Sequence, residues 1–205
     1  MRTAAHWVSA VFHPVFAPLA TLWLALRLDP HIGFFIQQDS RWILLIMIAV
    51  MTVIFPLTST LLLLRAKMIS SLTMPSRAER VMPFAMTIFY YAMTYYLLRQ
   101  SPLHPLALSI FLGIAISALL VLLITIRWKI SAHMAGIGAF TGALGTLSTI
   151  HDLRLFHVIA GSIMLAGVVG TARSLISDHS PGQIYAGFLL GWGVTSTCVL
   201  GELHL

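Results

Sequence analysis

Three short stretches carry most of the chain's chemically versatile side chains. They are Met74-Pro-Ser-Arg-Ala-Glu-Arg-Val-Met-Pro83, Lys129-Ile-Ser-Ala-His133 and Arg173-Ser-Leu-Ile-Ser-Asp-His-Ser-Pro-Gly-Gln183. Each pairs cations with a hydroxyl, a histidine or both. Arg77, Arg80 and Arg173 offer planar, bidentate donors to phosphate oxygens, and Lys129 adds a point charge. Ser131 supplies a hydroxyl, helix N-termini add backbone N–H groups, and His133 and His179 can divide the roles of acid and nucleophile. Brought to one point, these groups make a phosphate site. Each stretch also has a plainer reading. Interfacial Arg and Lys commonly anchor helix ends by snorkelling, and Ser180, Pro181 and Gln183 fit a helix start with a capping box. What the plainer readings leave unexplained is three such clusters on one face.

What must position them follows from composition. Of 205 residues, 59% are hydrophobic and only 9% are Asp, Glu, Lys or Arg, against about 25% charged residues in soluble domains. A soluble fold of this size has too little polar side chain to cover itself, so the chain reads as an integral membrane protein. The net charge of +6 does not point to a nucleic-acid partner, because the 12 basic residues lie scattered at the ends of apolar segments. Cys198, the single cysteine, excludes an intramolecular disulfide framework, a Cys-ligated zinc site and a redox pair. No metal-ligand constellation stands out, and no cofactor is expected.

A bilayer core about 30 Å thick takes roughly 20 apolar residues per helix. Seven stretches come near that, at 7–28, 42–64, 82–99, 104–126, 132–150, 155–173 and 184–203. The expected fold is all-α, a polytopic bundle of six to seven transmembrane helices forming one membrane domain over residues 1–205. Pro14 and Pro18 predict a bent or broken first helix, too long and too early in proline for a cleavable signal peptide. Gly138 and Gly142, like Gly187 and Gly191, stand four apart. Such spacing lets helix backbones approach closely in lipid, which puts the fifth and seventh helices at the centre. The period-2 alternation of a β-barrel is absent.

With seven spans, the N-terminus and the even-numbered loops share one membrane face, and all three clusters fall there. That face holds Arg2, Arg65, Lys67, Arg77, Arg80, Arg127, Lys129 and Arg173; the other holds Arg27, Arg41, Arg99 and Arg154. Eight against four would make the richer face cytoplasmic. Setting aside Arg77, Arg80, Lys129 and Arg173 as chemistry leaves four against four, so the sidedness stays open.

These residues resemble the signatures of the type 2 phosphatidic acid phosphatase (PAP2) superfamily. Arg173 and His179 match its last motif, an Arg, five residues, a His, three residues and an Asp. Ser131 and His133 match its Pro-Ser-Gly-His, and Arg80 its Lys-(six residues)-Arg-Pro. Nearly the whole chain is similar to a compact bacterial branch with PAP2-like folds. That branch shares the Arg-x-x-Pro of 80–83, the Lys-x-Ser-x-His of 129–133 and the His-x-Pro-x-Gln-x-Tyr-Ala-Gly of 179–187. The resemblance implies a multi-pass protein of the bacterial cytoplasmic membrane. It implies that His179 attacks phosphorus to form a phosphohistidine and that His133 protonates the leaving group. Arg80, Ser131 and Arg173 would bind the non-bridging oxygens.

The departures bear on activity. Gln183 replaces the Asp that should orient the nucleophilic His, and in the serine-protease template a comparable Asp-to-amide change costs about 10⁴ in rate. Asp178 is a poor substitute. Thr73 stands where the first motif has Lys, so Arg77 or Lys129 would have to serve; Ile130 and Ala132 replace Pro and Gly; and an apolar hairpin at about 82–126 separates the first two motifs. The expected function is a membrane lipid phosphatase acting on a lipid phosphomonoester or diphosphate, such as a polyprenyl diphosphate or phosphatidic acid, held within the bilayer. The alternative is a weak or inactive PAP2-fold protein that binds or moves a phosphorylated lipid. An unrelated transporter or structural subunit would show polar groups at the bilayer midplane, and intramembrane charge is nearly absent. The sequence leaves the oligomeric state open.

Overall fold

Proline placement and long apolar runs set the elements of this chain. The structure, a computed structural model, describes residues 2–34, 36–72, 74, 76–176 and 179–203. Helix α1 (Arg2–Val11) ends before Pro14, a 3₁₀ turn covers Pro14–Phe16, and α2 (Ala17–Leu28) completes the first span. The break expected from Pro14 and Pro18 is therefore present, and the His13 ring caps it by accepting the Val15 N–H at 3.4 Å. A short α3 (Pro30–Gly33) leads to α4 (Gln38–Ala49), a π-helical turn (Val50–Ile54) and α5 (Phe55–Arg65). Pro56 has no N–H, and its ring would press on the Thr52 carbonyl; a widened turn relieves both faults. The rest is α6 (Arg77–Arg99), α7 (Pro105–Thr125), α8 (Ala132–Ile150), α9 (Phe156–Ile176) and α10 (Pro181–Leu200). Among the described residues there is no strand.

Six segments are long and apolar enough to cross a bilayer: 2–28, 38–65, 77–99, 105–125, 156–176 and 181–200. The chain is an all-α, multi-pass membrane bundle. Large apolar side chains such as Ile43, Leu62, Phe89, Met164 and Leu189 point outward, as lipid in place of water permits. The fifth expected span, α8, has its expected bounds but is not apolar enough to join these six. The reason is its position, since α2, α7, α9 and α10 all pack around it. A helix wrapped by protein can trade lipid-facing bulk for small residues.

The glycines show what that trade achieves. A Cβ at Gly142 would lie 2.6 Å from the Trp192 carbonyl oxygen, and one at Gly187 would lie 2.5 Å from the Ser131 carbonyl oxygen. Cβ atoms at Gly138 and Gly191 would overlap the carbonyls of Phe188 and Ala135. Each helix thus lends glycine faces to the other's backbone; α8 is central as expected, whereas α10 buries its glycine face against α8 and turns Tyr185 and Leu189 outward. Gly193, on the same helix, has open space where its Cβ would be. Gly191→Leu should therefore lower thermal stability by an amount in or above the ~1–3 kcal/mol typical of overpacking, while Gly193→Leu is nearly neutral. Thermal unfolding of the two detergent-purified variants, read by size-exclusion chromatography, checks the contrast; equal losses would contradict the packing.

Candidate functional site

Hydrogen bonds from Arg77 to Arg127, from Ser131 to Gln183 and from His179 to Lys129 bring the starts of α6, α8 and α10 and the end of α7 together at one end of the bundle, and Arg173 near the end of α9 joins Ser9 of α1. A cavity of about 460 Å³ begins there. Of the residues singled out in the sequence, Arg80, Lys129, His133, Arg173 and His179 line it. No Asp or Glu is among its described lining residues. Glu79, beside Arg80 in sequence, is half-buried and held elsewhere, accepting from the Ser70 N–H at 3.1 Å and the Ser70 hydroxyl at 2.9 Å.

His179 is buried just ahead of α10. Its Nδ1 lies 3.1 Å from the Lys129 carbonyl oxygen and 3.2 Å from Gln183 Oε1. A carbonyl oxygen only accepts, so Nδ1 carries the proton and Nε2 keeps its lone pair. The Gln183 amide is oriented independently, because Oε1 also accepts the Ser180 N–H at 3.1 Å, while Ser180 Oγ accepts the Gln183 N–H. The capping box is present, and its glutamine oxygen also holds the histidine. Burial, followed by the positive fields of Arg173, Arg80 and Lys129, pushes His179 down to about 4 despite the Gln183 hydrogen bond.

His133 sits in the first turn of α8. Its Nε2 donates to the Ser9 carbonyl oxygen at 3.0 Å, so it can exchange protons with a ligand only through Nδ1. Arg173 Nη1 donates to Ser9 Oγ at 3.4 Å, and the ring of His13 meets that of His133 edge-on, centroids 5.2 Å apart. Arg80, in the first turn of α6, donates through Nε to the Met74 carbonyl at 2.9 Å. Met74 holds a left-handed backbone, φ 44°, to aim that carbonyl.

Three expected site residues do not line the cavity. Arg77 is exposed, and its Nη1 donates to the Arg127 carbonyl at 2.6 Å, tying two loops together. It does not stand in for the lysine missing from the first motif. Ser131 is fully buried with no partner for its hydroxyl; its N–H donates to the Gln183 carbonyl at 3.2 Å. Gln183 acts through His179 from behind. Thr73 and Asp178, weighed in the sequence as a lost ligand and a substitute acid, lie outside the described residues. The sequence reading passed over His6, Ser9 and His13, all in the lining. Their i, i+3, i+7 spacing along one face of an otherwise apolar stretch was the available signal.

The arrangement suits a phosphoryl group: cations for its oxygens, a basic ring nitrogen for phosphorus, and no carboxylate among the described lining residues. Compared with known proteins, the chain matches no family model, no curated protein and no solved structure.

The His179 environment fixes a pH dependence. Its proton affinity falls from the ordinary 6.5 to about 4 on folding, so between those values the unfolded chain holds a proton that the folded chain does not. The contribution to stability is full above pH 6.5 and shrinks as pH falls toward 4. In a histidine NMR titration of the folded protein, the resonance lost in His179→Gln should have its midpoint near 4. Added phosphate should move that midpoint upward, since an anion favours the imidazolium. A midpoint at 6.5 would show that the ring is neither enclosed nor ringed by cations.

Proposed function

We propose that the chain is a PAP2-like membrane lipid phosphatase of the bacterial cytoplasmic membrane, hydrolysing a lipid phosphomonoester or diphosphate. The observation that carries this reading is His179. Its proton is fixed on Nδ1, its Nε2 keeps its lone pair, and Arg80, Lys129 and Arg173 line the same cavity. The wall of that cavity supports an amphiphilic ligand. Beyond the cations it continues along Tyr91, Ile114, Ala118 and Ala139, deep in the bundle, giving a phosphate a polar end and a hydrocarbon chain an apolar one.

In this scheme Arg80 and Arg173 bind the non-bridging oxygens and Lys129 adds its field. The Nε2 lone pair of His179 attacks phosphorus, the bond to the leaving oxygen breaks, and protonated His133 gives that oxygen a proton from Nδ1. Neutral His133 then takes a proton from water, which attacks the phosphohistidine and releases phosphate. Gln183 brings no charge, but the Lys129 carbonyl also holds the tautomer, so the loss expected from a missing Asp is much reduced.

Phosphate release from lipid phosphates and diphosphates in detergent micelles tests the reading. His179→Ala should abolish turnover. Gln183→Ala removes one of two acceptors and should cost about tenfold, the worth of one hydrogen bond, while Gln183→Asp holds or raises the rate. The second reading, a protein that binds or moves a phosphorylated lipid, draws on the uncharged Gln183. It predicts no turnover in any variant, with lipid-phosphate binding retained in His179→Ala and lost in Arg173→Gln.

A further inference from the structure

The end of the bundle away from the cationic cavity carries a cluster of opposite character. Asp29 follows α2, His31 lies in α3, and His151 caps the end of α8. The Asp29 carboxylate is almost fully buried, and its ion-pair partners among the described residues are the two histidines alone. Oδ2 lies 2.6 Å from His151 Nδ1, and Oδ1 lies 3.3 Å from His31 Nδ1. The two imidazole rings stack at 4.3 Å between centroids, tilted 35°. One donor atom from each residue falls within 4.8 Å of the others.

We propose that Asp29, His31 and His151 form a binding site for a divalent transition-metal ion. A carboxylate and two imidazoles are a donor set for zinc and its neighbours, whereas Mg²⁺ and Ca²⁺ favour all-oxygen shells. Bonds of about 2.0–2.1 Å in a tetrahedron set ligand atoms ~3.3 Å apart. The His31–Asp29 separation of 3.3 Å matches that spacing, and the His151–Asp29 separation of 2.6 Å is shorter. An ion replacing the shared protons would draw the three donor atoms in while pushing that pair apart. The site is not sealed, for His31 and His151 also line a shallow pocket with Pro30, Phe34 and His104. His104 Nδ1 accepts the Leu106 N–H at 3.2 Å, which leaves a proton on Nε2. Nδ1 of His104 is thereby engaged and is not counted among the ligands. Burying a carboxylate beneath two imidazoles without Lys or Arg is costly for structure alone, and a bound cation removes that cost.

The experiment uses the full chain in detergent, purified without a histidine tag, stripped with chelator and titrated with Co²⁺. The expected result is one Co²⁺ per chain with the visible absorption of a tetrahedral nitrogen–oxygen site, displaced by Zn²⁺. His151→Gln should weaken binding at least about tenfold, on the scale of lost coordination-sphere contacts. Asp29→Asn provides a second variant, because Asn still accepts the His31 and Ile32 N–H groups that start α3; it too should weaken binding while the protein stays monodisperse. No stoichiometric Co²⁺ binding, or binding unchanged in both variants, would overturn the site.

Discussion

The contact of α8 with α10, backbone against backbone, is the constraint on which the remaining structure depends. Four glycines remove the side chains that would hold these helices apart. The consequence for chemistry lies at their first turns. Because the helices touch, the Ser131 N–H reaches the Gln183 carbonyl, and the Lys129 carbonyl reaches the His179 ring. A wider spacing would separate the two loops that together fix one imidazole. Packing in lipid, where close fit replaces hydrophobic drive, here also sets a tautomer.

Electrostatics divides the bundle along its length. One end gathers Arg80, Lys129 and Arg173 around a cavity that no described Asp or Glu lines; the other buries Asp29 between imidazoles. Charges of one sign held together within an apolar shell are strained until a counterion arrives, because a low dielectric magnifies both repulsion and attraction. Each end thereby favours a counterion of one sign. Histidine stands at both, with its Nδ1 held by a neighbour: the Lys129 carbonyl at one end and the Asp29 carboxylate at the other.

The sequence made the architecture legible because a bilayer is a demanding solvent. Continuous apolar runs, Pro14 and the paired glycines each have one physical meaning there, and α8 carries its expected bounds. The clusters at Arg80, Lys129–His133 and Arg173–His179 were legible for a similar reason, as polar residues are costly near lipid and must be explained. Side-chain direction was not written so plainly. Arg77 and Arg80 lie three apart on one helix, yet one reaches a neighbouring loop and the other the cavity. His6, Ser9 and His13 were hidden in a segment that reads first as a membrane anchor, and Asp29 and His151 by their separation of 122 positions.

Ser9 gives this layout a schedule. Its carbonyl holds His133 and its hydroxyl receives Arg173, 164 positions later. At a synthesis rate of about 5–20 residues per second, the first helix is in place roughly 8–33 seconds before the arginine it will touch has been made. Until α9 and α10 emerge, α1 has no α9 to pack on and His133 no third loop beside it. Assembly of the cationic end thus waits for α9 and the start of α10, and a chain released before them leaves His133 without Arg173 and His179.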